Sequence, residues 1–390
     1  MIDYEKMLSK TVCDLKPSGI RKYFDLLSEM KDVISLTIGE PDFITPWHIR
    51  EAAIESLEKG KTYYTSNSGT VDLRTEISKY LDRKFNLHYD PKSEVIVTVG
   101  GSEAIDIAMR AILEPGDEVI LPCPSFVCYE PIATMLGAKV ININTKAENK
   151  FKLTKEELKS AITPKTKLLV LPFPNNPTGA ILTRDELESL AEVLRDTNIA
   201  ILSDEIYAEL TYGRKHVSIA EIDGMRERTI VASGFSKAYA MTGWRMGYIC
   251  APATLAKQML KIHQFAIMCA PTVSQFAAVE ALRNGDDDVE MMRAEYNRRR
   301  VFLLEGFKKI GIECFEAEGA FYLYPNIGKF GLTSEEFAKR LLYEYNCAIV
   351  PGTAFGECGE GYARISYAYS MKHLKLALEK IEAFVKTLKK

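Results

Sequence analysis

The sequence predicts an α/β protein with a large domain on a mostly parallel sheet and a smaller α+β domain beside it. Three observations carry this. At 390 residues the chain is too long for one small core, so two domains are expected. From about residue 46 to 280, continuous Val/Ile/Leu runs alternate with helical patterns, the signature of parallel strands covered on both faces. After Asp286-Asp287-Asp288 the pattern changes to long helices separated by short strands. The boundaries that follow are 46–285 for the large domain, and 1–45 with 286–390 for the small one.

The elements can be taken in order. SEVIVTVGG (93–101) is a strand running into SEAIDIAMRAIL, a helix opening with Ser102 and an acid, Glu103, in its first turn. DEVILPCPSF (117–126), KLLVLPFPNNPTG (167–179), IAILSDEIY (199–207) and RTIVASGFSK (228–237) are further strands. RDELESLAEVLRDT (184–197) is one of the helices between them. QFAIMCAPTVSQFAAV (264–279) reads as a core segment, interrupted by Pro271 and too short to span a bilayer. The triplet 286–288 is an exposed loop or a helix cap, and VEMMRAEYNRRRVFLLEGFKKIG (289–311) is one long helix. GAFYLYP, SEEFAKRLLYEYN, CAIVPG and RISYAY complete the small domain before a final helix.

Composition narrows the function. Net charge is −3 with both signs dispersed, which gives no footprint for nucleic acid. The N-terminal stretch has no apolar signal region, and no run is a membrane span. Eight cysteines without a CxxC pair read as free thiols in a reducing cytoplasm, and five scattered histidines make a metal site unexpected.

The chemistry gathers at strand ends, where open parallel sheets bind ligands. Gly100-Gly101-Ser102 meets a helix N-terminus, an amide pocket suited to phosphate, or a plain βα turn. Phe126 is a core ring or a stacking platform. Asn176, in PNNPTG, is fixed by a turn that could aim its amide into a cleft. Asp204 needs a positive partner or several donors unless it caps a helix, and Tyr207 follows three residues on. Lys237 ends an apolar run, where a buried ammonium is costly unless chemistry neutralises it; Arg245 lies eight positions later. Together they suit a phosphorylated aromatic aldehyde with a pyridine nitrogen.

GFSKAYAMTGWRMG (234–247) resembles the cofactor-attachment motif of class-I aminotransferases, the pyridoxal-phosphate enzymes of the aspartate aminotransferase fold. The resemblance spans essentially the whole chain through SLTIGEPDF (35–43), YTSNSG (64–69), PNNPTG (174–179), SDEIY (203–207), GAFY (319–322), VPGTAFG (350–356) and YARIS (362–366). It looks closest to the branch holding aromatic and N-acetyl-diaminopimelate aminotransferases. It implies fold type I with a seven-stranded sheet, pyridoxal 5'-phosphate as cofactor, and amino exchange between an L-amino acid and a 2-oxo acid. Elimination by a β-lyase on the same scaffold is the alternative. A ligand sensor is not expected, since no DNA-binding module precedes Ser35.

The resemblance also implies roles. Lys237 carries the cofactor as a Schiff base, Asp204 pairs with the pyridine nitrogen, and Tyr207 and Asn176 bond the phenolic oxygen. Phe126 stacks on the ring. Arg245, Ser236 and the amides of Gly101 and Ser102 hold the phosphate, with Glu103 counted among the cofactor residues. Where the family often has a serine three before the lysine, this chain has Gly234, so Ser236 or backbone carries more of the contact and Ser233 is left open. Arg364, Asn176 and Gly39 receive the substrate α-carboxylate. Tyr64 reaches the phosphate of a neighbouring subunit in a homodimer, or packs within its own chain. Arg21 is a candidate for a distal carboxylate, or a charge on a solvated helix.

Overall fold

The computed structural model describes residues 2–17, 19, 30 and 32–388. Its strands are β1 (Ile34–Ser35), β2 (Val95–Thr98), β3 (Glu118–Cys123), β4 (Lys139–Asn144), β5 (Thr166–Leu171), β6 (Ala200–Asp204), β7 (Thr229–Gly234) and β8 (Gly247–Cys250), followed by β9 (Tyr322–Leu323), β10 (Cys347–Ala348), β11 (Val350–Pro351) and β12 (Ala363–Ser366). Seven form one sheet in the order β2-β8-β7-β6-β5-β3-β4. Only β8 runs against its neighbours, β2 and β7. Every residue of β2 and β3 is buried, as strands covered on both faces require.

The sequence reading passed over two of these strands. In β4 exposed positions recur along the strand, as an edge allows, so it lacks a continuous apolar run. The four residues of β8 begin at the last glycine of the motif that contains Lys237 and pair on both sides, Gly247 opposite Thr98 and Gly234.

Other differences are local. The helix predicted from Ser102 begins at Gly100, because Glu103 folds back to accept the Val99 N–H at 2.5 Å. Asp286-Asp287-Asp288 are the first turn of the helix Asp286–Ile310, where three carboxylates meet the positive end of the dipole; Gly311 stops it at φ 79°. The stretch 264–279 is not wholly core. Ala253–Ala266 and Thr272–Asn284 are separate helices, and Phe265 near the end of the first, with Ile267 and Met268 between them, faces outward.

Three apolar clusters pack around the large sheet and its helices. A fourth is built mainly from Leu36 and residues 292–385, including Leu303, Phe307, Phe337, Leu341 and Phe384. There β9, β11 and β12 form a three-stranded antiparallel sheet, and β1 pairs with β10. Tyr207, Leu210 and Tyr212 join this fourth cluster from the large-sheet side. The seam between the two halves therefore runs past the carboxyl end of β6.

Candidate active site

β2, β3, β5, β6 and β7 all run the same way, so the residues that follow them gather at one rim. A cavity of about 280 Å³ opens there. It is lined by Gly101 and Ser102 after β2, Phe126 after β3, Asn176 after β5, Asp204 and Tyr207 from β6, and Ser236, Lys237 and Arg245 after β7. Gly39 and Arg364 reach it from the other half. A more open groove of about 830 Å³ lies elsewhere, between residues 147–151 and 301–362, and holds none of these side chains.

Lys237 Nζ donates to the Gly39 carbonyl at 2.7 Å. The side chain is partly open to the cavity, but its nitrogen is enclosed. Desolvation, only partly offset by Glu40, lowers the amine to about 8. Asp204 is buried; its Oδ2 accepts from Tyr129 Oη at 2.6 Å and its Oδ1 from the Ile206 N–H at 3.2 Å. Burial raises its carboxyl despite the Tyr129 bond, so it wants a proton or a cation facing it. The adjacent Glu205 points to the other side of the chain, where Ser203, Ser218 and His216 satisfy it. Two neighbouring acids in SDEIY thus have separate fates.

Tyr207 Oη and Tyr322 Oη share a hydrogen bond at 2.8 Å. Gly39 must be glycine for this pair to form, since a Cβ there would lie 2.2 Å from Tyr322 Oη. Arg364, 2% exposed, donates from Nη1 to Asn176 Oδ1 at 3.0 Å and from Nη2 to the Thr37 carbonyl. Tyr322 and Phe355 rings lie 4.6 and 4.8 Å from its guanidinium carbon. Burial lowers its pKa, and its Nε has no hydrogen-bond partner among the described residues. An enclosed guanidinium with an unspent donor fits an incoming carboxylate.

At the opposite end, Gly100 has φ 74°, and a Cβ on it would lie 2.6 Å from Arg245 Nη2. The guanidinium thus rests directly on the first turn of the helix Gly100–Ile112, beside the cavity-lining Gly101, Ser102 and Ser236. Helix amides, a hydroxyl and a guanidinium make a site for an oxyanion. Gly234 is hemmed in by backbone, its added Cβ falling 2.9 Å from the Met246 carbonyl oxygen. Ser233 Oγ donates to the Glu205 carbonyl at 3.1 Å and is thereby taken up.

Two predicted residues stand elsewhere. Glu103 does not line the cavity: its carboxylate turns back to the Val99 N–H and to His263 Nδ1, 2.6 Å away. Tyr64 is 77% exposed, which excludes packing within its own chain. Arg21 lies outside the described residues. The sequence reading missed Tyr129 and Tyr322, which line the cavity and bond Asp204 and Tyr207. Their position in SFVCY and GAFY was the available signal, masked because aromatic residues in such runs usually mean core.

The set fits pyridoxal phosphate: an enclosed amine of lowered basicity, a carboxylate lacking a cation, and an oxyanion cradle line one cavity. Known proteins agree. The model for "Aminotransferase class I and II" matches residues 31–381. A Bacillus subtilis (strain 168) protein, "Probable N-acetyl-LL-diaminopimelate aminotransferase", is 46% identical over 381 residues, covering 98% of this chain and 96% of its own. The aromatic aminotransferase from Pyrococcus horikoshii OT3 is 42% identical, with a TM-score of 0.89 over 94% of this chain and 99% of that one. Aspartate aminotransferase from Thermus thermophilus with maleate is 39% identical, with a TM-score of 0.92 over 96% and 99%. The chain belongs to the class I and II aminotransferases, and is a pyridoxal-phosphate-dependent transaminase that exchanges an amino group between an amino acid and a 2-oxo acid.

Proposed function

We propose that Lys237 is the residue on which the exchange turns, and that the cavity binds the two ends of its occupants with its two arginines. The observation that carries this is the meeting of Lys237 with Asp204 and Arg245 on one side and Arg364 on the other. When bound, pyridoxal phosphate supplies an aldehyde that takes up the amine and a ring that accepts the electrons left when Cα loses its proton.

The chain's own residues do the rest. Arg245, Ser236 and the amides of Gly101 and Ser102 hold the phosphate. Asp204, positioned by Tyr129, holds a proton on the ring nitrogen. Tyr207 and Asn176 donate to the phenolic oxygen, and Phe126 covers a ring face. Lys237 Nζ, with basicity near neutral, would take the proton from the substrate Cα and hold it for return to the cofactor's aldehyde carbon, on the far side of the transferred nitrogen. Arg364 grips the α-carboxylate, with Gly39 approaching closely; charge-assisted bonds of this kind contribute about 1.5–3 kcal/mol each.

Residues 46–285 are the cofactor-binding unit, and 286–390 with 1–45 are the unit that brings Arg364 and Gly39 to it. Eight free cysteines support a reducing, cytoplasmic setting. The outward-facing Tyr64 supports a homodimer in which it reaches the partner's phosphate. The relatives' names supply three donor classes: aromatic, aspartate and N-acetyl-diaminopimelate.

A panel of these donors against 2-oxoglutarate is the test. At least one class exchanges its amino group in a keto-acid-dependent reaction, and Arg364→Lys lowers kcat/KM about 10- to 100-fold for every productive donor. Ammonia release without any keto acid would favour the β-lyase. Unchanged kcat/KM in Arg364→Lys would remove that arginine from substrate binding.

A further inference from the structure

Glu103 and His263 lie behind the phosphate-facing turn. Gly101 and Ser102 present themselves to the cavity, while Glu103, next in the same turn, points back into protein. One carboxylate oxygen takes the Val99 N–H at 2.5 Å, fixing the Thr98–Val99 peptide that leads into Gly100. The other lies 2.6 Å from His263 Nδ1, in the helix Ala253–Ala266. His263 is 0% exposed, and its Nε2 has no hydrogen-bond partner among the described residues.

That arrangement needs a reason. A carboxylate in the first turn of an anion-binding helix competes for the same positive end. Enclosing a histidine with one bare nitrogen also costs free energy. Both are consistent with a rigid clamp. A carboxylate oxygen only accepts, so a proton on Nδ1 makes the 2.6 Å contact a hydrogen bond that holds the carboxylate, and the carboxylate holds the Val99–Gly100 turn. Gly100 in turn lies against Arg245, whose guanidinium leaves no room for a Cβ.

We propose that Glu103 and His263 are positioning residues for the cofactor's phosphate, locking the turn so that the amides of Gly101 and Ser102 and the Arg245 guanidinium converge on one oxyanion. The proposal rests on the cofactor placement above, and its effect is specific to the phosphate end.

The test compares apo-enzyme affinity for pyridoxal phosphate with that for pyridoxal, which lacks the phosphate, by absorbance titration. Glu103→Ala weakens pyridoxal phosphate binding by about tenfold or more, while pyridoxal binding changes by less than about twofold. Glu103→Gln retains the wild-type ratio, since its amide oxygen still accepts the Val99 N–H and its NH₂ can face the other histidine tautomer. His263→Ala, which frees the carboxylate to move, lowers the ratio as well and serves if Glu103→Ala does not fold. Equal weakening of both ligands, or an unchanged ratio in folded His263→Ala, overturns the proposal. A wild-type chain that binds pyridoxal phosphate no better than pyridoxal would instead overturn the phosphate placement on which it rests.

Discussion

Lys237 and Arg364 face one cavity, and burial lowers the basicity of both with opposite uses. The guanidinium stays charged and waits for a carboxylate. The amine, near 8, offers a free base close to neutral pH. Its folded value lies below the unfolded one of about 10.4, so between the two the unfolded chain holds more protons. Apo-enzyme stability therefore rises as pH climbs through that window. Capture of pyridoxal phosphate by the apo-enzyme, followed by stopped-flow absorbance, accelerates up to about pH 8 and then levels. A rate still climbing towards pH 10 would show an ordinary solvated lysine. Lys237 and Asp204 were legible because a charged residue closing an apolar strand has few cheap explanations, whereas Arg364, inside β12, was legible only through likeness to a family. Tyr129 and Tyr322 were not, because a phenol in an apolar run gives no sign that its hydroxyl has work in a cavity.

The turn after β2 and the start of β8 pack backbone against backbone at the site. A Cβ at Gly247 would fall 2.5 Å from the Gly100 carbonyl carbon and 2.8 Å from the Gly101 nitrogen. Both are backbone atoms that cannot swing aside. Gly247→Ala is expected to cost about 1–3 kcal/mol in denaturant unfolding and to weaken cofactor binding. Gly243→Ala, with nothing within 4 Å of its added Cβ, is expected to change neither and serves as the control. Gly247→Ala behaving like Gly243→Ala would refute the close packing. The main buried strands were readable from continuous apolar runs. β4 and β8 were not, one because its edge position leaves residues exposed, the other because four residues are too few to show a periodicity. Glu103 was placed in the site because helix spacing cannot say which way a first-turn acid folds, and its partner His263 is 160 residues away.

At the scale of the whole molecule, the described residues include exposed apolar side chains on two adjoining stretches, Tyr63 and Tyr64 on one and Phe265, Ile267 and Met268 on the other. Tyr64 and Phe265, the latter 86% exposed, lie on stretches tied together by Asn67 to the Met268 carbonyl and Thr272 to the Tyr63 carbonyl. In the proposed homodimer this patch would lie between copies. Mixing Tyr64→Ala with Lys237→Ala chains tests it. A hybrid joins an intact Lys237 to an intact Tyr64 at one of its sites, so the mixture gains activity that neither variant shows. No gain after subunit exchange would place Tyr64 outside its partner's site. The sequence carried this only through likeness to a family, because composition does not reveal which exposed ring meets a second copy. The claim beneath every scale is that one lysine holds the cofactor. Borohydride reduction of the enzyme loaded with pyridoxal phosphate, followed by peptide mapping, is predicted to leave a stable pyridoxyl tag on Lys237 alone. A tag on another lysine, or none, would contradict the account.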